Sequence, residues 1–298
     1  MKYLIFGTNG MAGHMISLYL KEQGHKVIGF AKSPSSICHT IIGDALCEND
    51  IYNALHSEDF DIIINCIGVL NKEVDADMAI GIYLNSVFPH VLAKMLENKN
   101  TKLIHISTDC VFEGVKGANK EEDIPDAVSA YGKSKSLGEL RDNKNLTFRT
   151  SIVGPEIKDN GIGLFHWFMK QKGTINGYSN VIWTGVTTLH LAKAIEKASY
   201  ANITGLYHLV NNNYISKYNL ICLFNYYLKS EDMLRIIKDK SVISNKSLVN
   251  TRTDFDYIVP DYEKMIQELS EWIFLHDDIY SHYNFKAYNK ELTCKSLN

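Results

Sequence analysis

Apolar residues along this chain fall first into short continuous runs and then into helical spacing, and the two alternate. Lys2-Tyr3-Leu4-Ile5-Phe6 reads as a buried strand, and Met15-Ile16-Ser17-Leu18-Tyr19-Leu20 continues as a helix. Lys26-Val27-Ile28-Gly29-Phe30-Ala31 is a second strand, Ile41-Ile42-Gly43-Asp44 a short third ending in an acid, and residues 48–56 a helix. Asp61-Ile62-Ile63-Ile64-Asn65-Cys66-Ile67-Gly68 is apolar without alternation, as expected of a central parallel strand covered on both faces. One long helix is predicted over 75–97, with Asn85 in its middle and a kink or break at Pro89. Leu103-Ile104-His105-Ile106-Ser107-Thr108-Asp109 follows as a strand, then a charged loop over 113–126 expected to be exposed and mobile. A helix over 129–143 and a strand at Leu146-Thr147-Phe148-Arg149-Thr150 complete this half.

Past Gly154 the alternation fails. Gly161-Ile162-Gly163 leads into the aromatic segment Phe165-His166-Trp167-Phe168, and Asn176-Gly177 predicts a turn. Residues 189–200 read as helix, Gly205-Leu206-Tyr207-His208-Leu209-Val210 as strand and 216–229 as helix. The last fourteen or so residues are expected to fray. The fold class is therefore α/β, a doubly wound parallel sheet over 1–154 followed by a smaller mixed α/β region over 155–298. Some segments of that second region are expected to return to the first.

Composition narrows the partners. Lys plus Arg number 31 against 34 Asp plus Glu, a net charge of −3, which offers no broad attraction for nucleic acid or anionic lipid. Cys38, Cys47, Cys66, Cys110, Cys222 and Cys294 have no paired or zinc-ligand spacing and read as reduced thiols of a cytoplasmic protein. The eleven histidines form no H-x-x-x-H pair, so no metal site is expected. No leader precedes the first strand and no apolar run reaches the ~18 residues of a membrane span.

Three features carry chemistry. Gly7-Thr8-Asn9-Gly10-Met11-Ala12-Gly13 joins the first strand to the first helix, where glycine lets the backbone approach a pyrophosphate that faces the helix amides. The second strand ends in Phe30-Ala31-Lys32-Ser33, with no carboxylate to repel a 2′-phosphate and Lys32 to attract one, which favours NADPH over NADH. Tyr131 and Lys135 lie four apart on a helix, so an ammonium is expected to lower the phenol pKa toward neutrality and make it a general acid. That spacing alone is unspecific in a chain with 17 tyrosines. Thr108, at the end of the strand bordering the cofactor, places a second hydroxyl near the same substrate oxygen.

Gly7 to Gly13 in its G-x-x-G-x-x-G form, Ile106-Ser107-Thr108-Asp109-Cys110-Val111-Phe112, Tyr131-x-x-x-Lys135-x-x-x-Glu139 and Arg149-Thr150-Ser151 together resemble the dTDP-4-dehydrorhamnose reductase family of the extended short-chain dehydrogenase/reductases. The resemblance is good over about 1–155 and weaker afterwards, where Trp183-Thr184-Gly185-Val186-Thr187 is still similar. It implies a Rossmann-like domain, NADPH, and reduction of the C4 keto group of a nucleotide-linked 4-keto-6-deoxy sugar for deoxysugar biosynthesis. By the same resemblance Thr108, Tyr131 and Lys135 are catalytic, and Lys135 also holds the nicotinamide ribose. Gly7, Asn9, Gly10, Met11 and Ala12 cradle the pyrophosphate, and Asp44 lies by the adenine. Cys66, Ile67 and Gly68 line the ribose side, and Val69, Asp109, Ser151 and Trp183 face substrate.

Two departures bear on the substrate. Ile152 stands where the family carries an aromatic, and the segment at Trp183 lacks the family's proline. Reductases of UDP-2-acetamido-2,6-dideoxy-L-hexuloses resemble the chain as well here, so dTDP- and UDP-linked sugars both stay open, as does a homodimer. A dehydratase or epimerase of the same fold would carry Asp-Glu beside the catalytic Thr, whereas Cys110 follows Asp109. A non-catalytic NADP-binding subunit, as in methionine adenosyltransferase, is the remaining alternative, and the intact Thr-Tyr-Lys set argues against it. Phe165, Trp167 and Phe168 are expected to anchor the two regions rather than stack on a base.

Overall fold

The computed structural model describes residues 1–229, 233–283 and 285. The frayed terminus expected from the sequence, with Cys294, lies almost wholly outside them. In chain order the first half runs β1 (Lys2–Phe6), α1 (Met11–Glu22), β2 (Lys26–Ala31), β3 (His39–Ile42), α2 (Glu48–Leu55), β4 (Ile62–Asn65), α3 (Asn71–Ala76), α4 (Met78–Ile82), α5 (Phe88–Met95), β5 (Lys102–Thr108), α6 (Ala130–Leu137) and β6 (Leu146–Thr150). The second half runs β7 (Ile152–Val153), α7 (Leu164–Met169), β8 (Thr174–Tyr178), β9 (Val181–Trp183), β10 (Val186–Thr187), α8 (Thr188–Tyr200), β11 (Gly205–His208), β12 (Ile215–Ser216), α9 (Lys217–Leu228), β13 (Arg235–Asp239), β14 (Ser244–Asn245) and α10 (Tyr262–Leu275).

The main sheet has seven parallel strands in the order β11-β6-β5-β4-β1-β2-β3. Chain order reverses between β1 and β4, and the crevice beyond their carboxyl ends is where a doubly wound sheet receives its ligand. Strands β1, β4 and β6 are buried along almost their whole length, because helices cover both faces. One core cluster joins α1, α8 and the second half. A second lies under α2 and α5 on the opposite face. Among the described residues no helix is long and apolar enough to cross a membrane.

Several expectations are corrected. The single helix over 75–97 is α3, α4 and α5, interrupted at Asp77 and by a π-helical turn at Tyr83–Val87. Pro89 sits in the first turn of α5, directly after the π-helical turn, so the irregularity lies beside the residue that lacks an N–H for the preceding turn. Asn176-Gly177 is not a turn but the middle of β8, which pairs in parallel with β13. The helix over 129–143 ends at Leu137, and β3 begins earlier and stops at Ile42. The loop over 113–126 is exposed in part, Val115 at 86 % and Ile124 at 87 %, yet tied down: Glu113 N–H donates to Asp126 (2.8 Å), Asn119 bridges to Leu248, and Glu121 is buried. Phe165 and Phe168 are fully buried against Phe224, as an anchor requires, whereas Trp167 is 41 % exposed.

A buried ionic chain ties the site-bearing elements together. Arg149 on β6 is 0 % exposed and forks onto Glu139, Nε to Oε1 at 2.7 Å and Nη2 to Oε2 at 2.5 Å. Ser107 on β5 donates to the same carboxylate at 2.7 Å. Arg149 Nη1 donates to His208 Nε2 on β11 at 2.9 Å, which is possible because His208 Nδ1–H donates to Val249 O. Burial lowers His208 to about 4, so it is neutral and can accept. Glu121 closes the chain, accepting from the His208 amide and from Thr251. Glu139→Gln leaves the Arg149 guanidinium buried without a counter-charge, and a loss of about 3–5 kcal/mol is expected in urea unfolding followed by circular dichroism. A loss below about 1 kcal/mol would contradict this reading of the pair.

Candidate active site

The loop after β1 is shaped by its own backbone. Gly7 turns at φ +84°, and a Cβ on Gly13 would lie 2.1 Å from Gly7 O, so only glycine lets α1 begin this close to the strand. Gly10 caps α1 without a side-chain hydrogen bond, and the first turn carries no acid. The amides of Met11, Ala12 and Gly13 and the positive helix end therefore remain available to an anion. That arrangement fits a dinucleotide pyrophosphate. Asn9 Nδ2 donates to Ser33 O (2.9 Å) and Pro34 O (3.2 Å), strapping the loop after β2 over the glycine turn, and its buried Oδ1 has no partner.

Lys32 does not stand alone at the end of β2. It pairs with Asp44 at 2.9 Å, the lysine largely and the carboxylate partly open to solvent. Desolvation works to raise the Asp44 carboxyl, but the Leu46 amide and Lys32 hold it below its ordinary value. A carboxylate is thus present where the sequence segment Phe30 to Ser33 offers none.

The opposite wall is the end of β4. A Cβ on Gly7 would meet Ile67 and the Cys66 carbonyl carbon at 3.1 and 3.2 Å, and one on Gly68 would sit 3.7 Å from Lys135 Nζ. Gly7, Cys66, Ile67, Gly68 and Lys135 are therefore one contiguous surface. Burial pushes the Cys66 thiol up to about 12, with Lys135 acting against it, so this sulfur is a neutral lining group. Val69 is clamped by Asn85, whose Oδ1 accepts from Val69 N (3.0 Å) and whose Nδ2 donates to Val69 O (2.9 Å) and Ser134 Oγ (3.1 Å). The π-helical turn is what points Asn85 inward, a feature invisible in the apolar pattern.

Helix α6 is pressed against both neighbours. A Cβ on Gly132 would lie 2.3 Å from Cys110 O, and one on Gly138 would lie 2.0 Å from Asn85 O. This contact sets Tyr131 beside Thr108, whose hydroxyl accepts from Cys110 N (3.1 Å) and donates to Asp109 Oδ1 (3.2 Å). The phenol departs from expectation. Burial, with the nearby Cys110 and Asp109, raises the Tyr131 pKa, and only Thr108 lowers it. Lys135 is directed elsewhere: its Nζ donates to Ile106 O at 2.8 Å and lies 3.5 Å from His105 Nε2, and burial lowers it to about 8. Tyr131 is consequently a protonated phenol at neutral pH, the form a proton donor needs.

Ser151 and Trp183 meet across the crevice. Ser151 O accepts from Val186 N at 2.8 Å, and a Cβ on Gly185 would lie 2.0 Å from that oxygen and 2.4 Å from the Trp183 ring. Two cavities elsewhere among the described residues, one of about 630 Å³ under Phe60 and Asp61 and one of about 450 Å³ by Tyr262, hold none of these residues. Asn85, His105, Glu121, His208 and Lys217 were not among the expected site residues, and each acts through a partner distant in sequence.

The family model described as the RmlD substrate binding domain matches residues 1–242. The chain belongs to that family. Among curated relatives of this RmlD-like chain, a probable low-salt glycan biosynthesis reductase of Haloferax volcanii is 30 % identical over 139 residues, 45 % of this chain and 46 % of the relative. The methionine adenosyltransferase 2 subunit beta of Xenopus laevis is 25 % identical over 238 residues, 74 % of this chain and 70 % of the relative. The fold matches the crystal structure of a dTDP-4-dehydrorhamnose reductase from Bacillus anthracis in complex with NADP, with a TM-score of 0.76 at 20 % identity, over 90 % of this chain and 99 % of that one.

Gly13→Ala forces a methyl into Gly7 O and opens the loop. Isothermal titration with NADP+ is expected to show affinity reduced at least about tenfold. Unchanged affinity would remove the glycine turn as the pyrophosphate cradle.

Proposed function

We propose that this RmlD-like protein is an NADPH-dependent 4-ketoreductase of a nucleotide-linked 4-keto-6-deoxy sugar, dTDP- or UDP-linked. The observation that carries the reading is the convergence of the Thr108 hydroxyl, the protonated Tyr131 phenol and the Gly68–Lys135 surface beside the glycine loop. NADPH, when bound, supplies the hydride. The uncapped start of α1 receives its pyrophosphate, and Lys32 with Asp44 meets the adenosine end. Tyr131 donates the proton to the sugar carbonyl oxygen as its carbon is reduced to the alcohol, and Thr108 offers a second hydrogen bond to that oxygen. Cofactor hydride plus one proton accounts for the two hydrogens gained. Lys135, near pKa 8, faces the ribose side beside Gly68 and His105.

A dehydratase or epimerase needs a further acid/base residue beside Thr108. Cys110 follows Asp109 where that chemistry carries a glutamate, and burial pushes its thiol up to about 12, so it supplies no base there. The relationship to a methionine adenosyltransferase subunit supports the regulatory reading as the competitor.

The test is NADPH oxidation followed optically with dTDP-4-dehydrorhamnose and with a UDP-2-acetamido-2,6-dideoxy-L-hexulose. Turnover on one of them is expected, and Tyr131→Phe is expected to lower kcat by roughly 10²–10⁴ while NADP+ affinity is kept. Cofactor binding with no turnover on either sugar would favour the regulatory alternative.

A further inference from the structure

Lys217 occupies a costly position that neither the fold nor the proton chemistry requires. It is the first residue of α9, directly after the N-cap Ser216, where the helix dipole disfavours a cation. It is also half-buried, and desolvation lowers its pKa to about 8 despite the opposing charge of Asp109. The antiparallel pairing of β9 with β12 explains its placement. Ile215 pairs with Trp183 in antiparallel register, so the chain turns into α9 beside the indole, and Lys217 Nζ comes to rest 5.0 Å from the Trp183 ring centroid. A cation over an indole face is held in place without being neutralised.

The surroundings select a ligand sign. Asp109, at the end of β5 next to Thr108, feels the charges of both Lys217 and Lys246. Lys246 is half-buried, and neither lysine closes an ion pair among the described residues. Two ammonium groups thus act on one carboxylate next to Thr108, leaving net positive charge in a partly desolvated setting. Trp183 is 2 % exposed, and its indole N–H has no hydrogen-bond partner, a second unused donor at the same place. Residues of this kind are costly to bury unless an acceptor completes them.

We propose that Lys217, steadied on Trp183 and assisted by Lys246, anchors the diphosphate of the nucleotide sugar on the substrate side of the crevice. The assignment rests on the reading of the substrate as a nucleoside diphosphate sugar and adds the residues that recognise its charge. Lys217 is a binding residue: with the diphosphate fixed beside Asp109, the sugar ring extends toward Thr108 and Tyr131. It takes no part in proton transfer.

The test is isothermal titration of the NADP+-saturated full-length protein with dTDP, UDP, dTMP and UMP. The wild-type protein is expected to bind at least one diphosphate more tightly than its monophosphate. Lys217→Met is expected to remove about tenfold to a hundredfold of diphosphate affinity, the range for a charge-assisted contact. Monophosphate and NADP+ affinities should stay within about twofold. Lys217→Arg should keep most of the preference, and Lys246→Met should lose less than Lys217→Met. Should Lys217→Met fail to retain NADP+, Lys217→Gln replaces it, with NADP+ affinity as the measure of folding. A diphosphate preference that survives both substitutions, or is absent from the wild type, overturns the inference and leaves the proposed reduction standing. Failure of the wild type to bind any of the four nucleotides overturns the substrate class itself.

Discussion

The fork of Arg149 onto Glu139 is the constraint from which the site follows. Glu139 stands just past the end of α6, Arg149 at the heart of β6, and Ser107 one residue before Thr108 on β5. Three elements from separate parts of the chain are therefore locked at one carboxylate. Such a pair is not a cheap source of stability, since both charges leave water, but it tolerates few geometries. His208 and Glu121 extend the lock to β11 and to the loop over 113–126. The second half of the chain is thus bound to the wall that carries Thr108 and Tyr131.

Within that frame the site works by unequal burial. Tyr131 is kept protonated by its surroundings, whereas Lys135 and Lys217 are lowered toward neutrality but still cationic at pH 7. On the proposed reading the sheet gives each group a different duty by position: glycine turn after β1, ribose wall after β4, proton donor against β5, and a cationic rim from β9 and α9. Close backbone approaches at Gly132 and Gly138 set the distances, because a side chain at either place would separate α6 from its neighbours.

Much of the sheet is legible in the sequence because its strands are covered on both faces. Ile62 to Asn65 shows as an unbroken apolar run for that reason, whereas Leu146 to Thr150 alternates, its Thr147 and Arg149 being buried through hydrogen bonds. β8 and β13 are not legible: they are short and half-exposed, and only their mutual pairing makes them strands. The glycine turn and the Tyr131–Lys135 spacing can be read as motifs, but their electrostatics cannot. Four-residue spacing suggests a phenol beside an ammonium, while the fold turns Lys135 to Ile106 O and lets burial govern Tyr131. Lys32 likewise looks like a lone cation until Asp44 is brought to it. Lys217 escapes notice because its partners, Trp183 and Asp109, are remote in sequence.

The proposed reaction turns on one event, passage of a hydride across the crevice to a carbon whose oxygen faces Tyr131. Incubation with NADPH deuterated at C4 on the transferred face, followed by mass spectrometry and NMR of the product sugar, measures that event directly. One deuterium on the new carbinol carbon is the predicted result. Product sugar without deuterium at that carbon, whichever face of the cofactor carries the label, would contradict it.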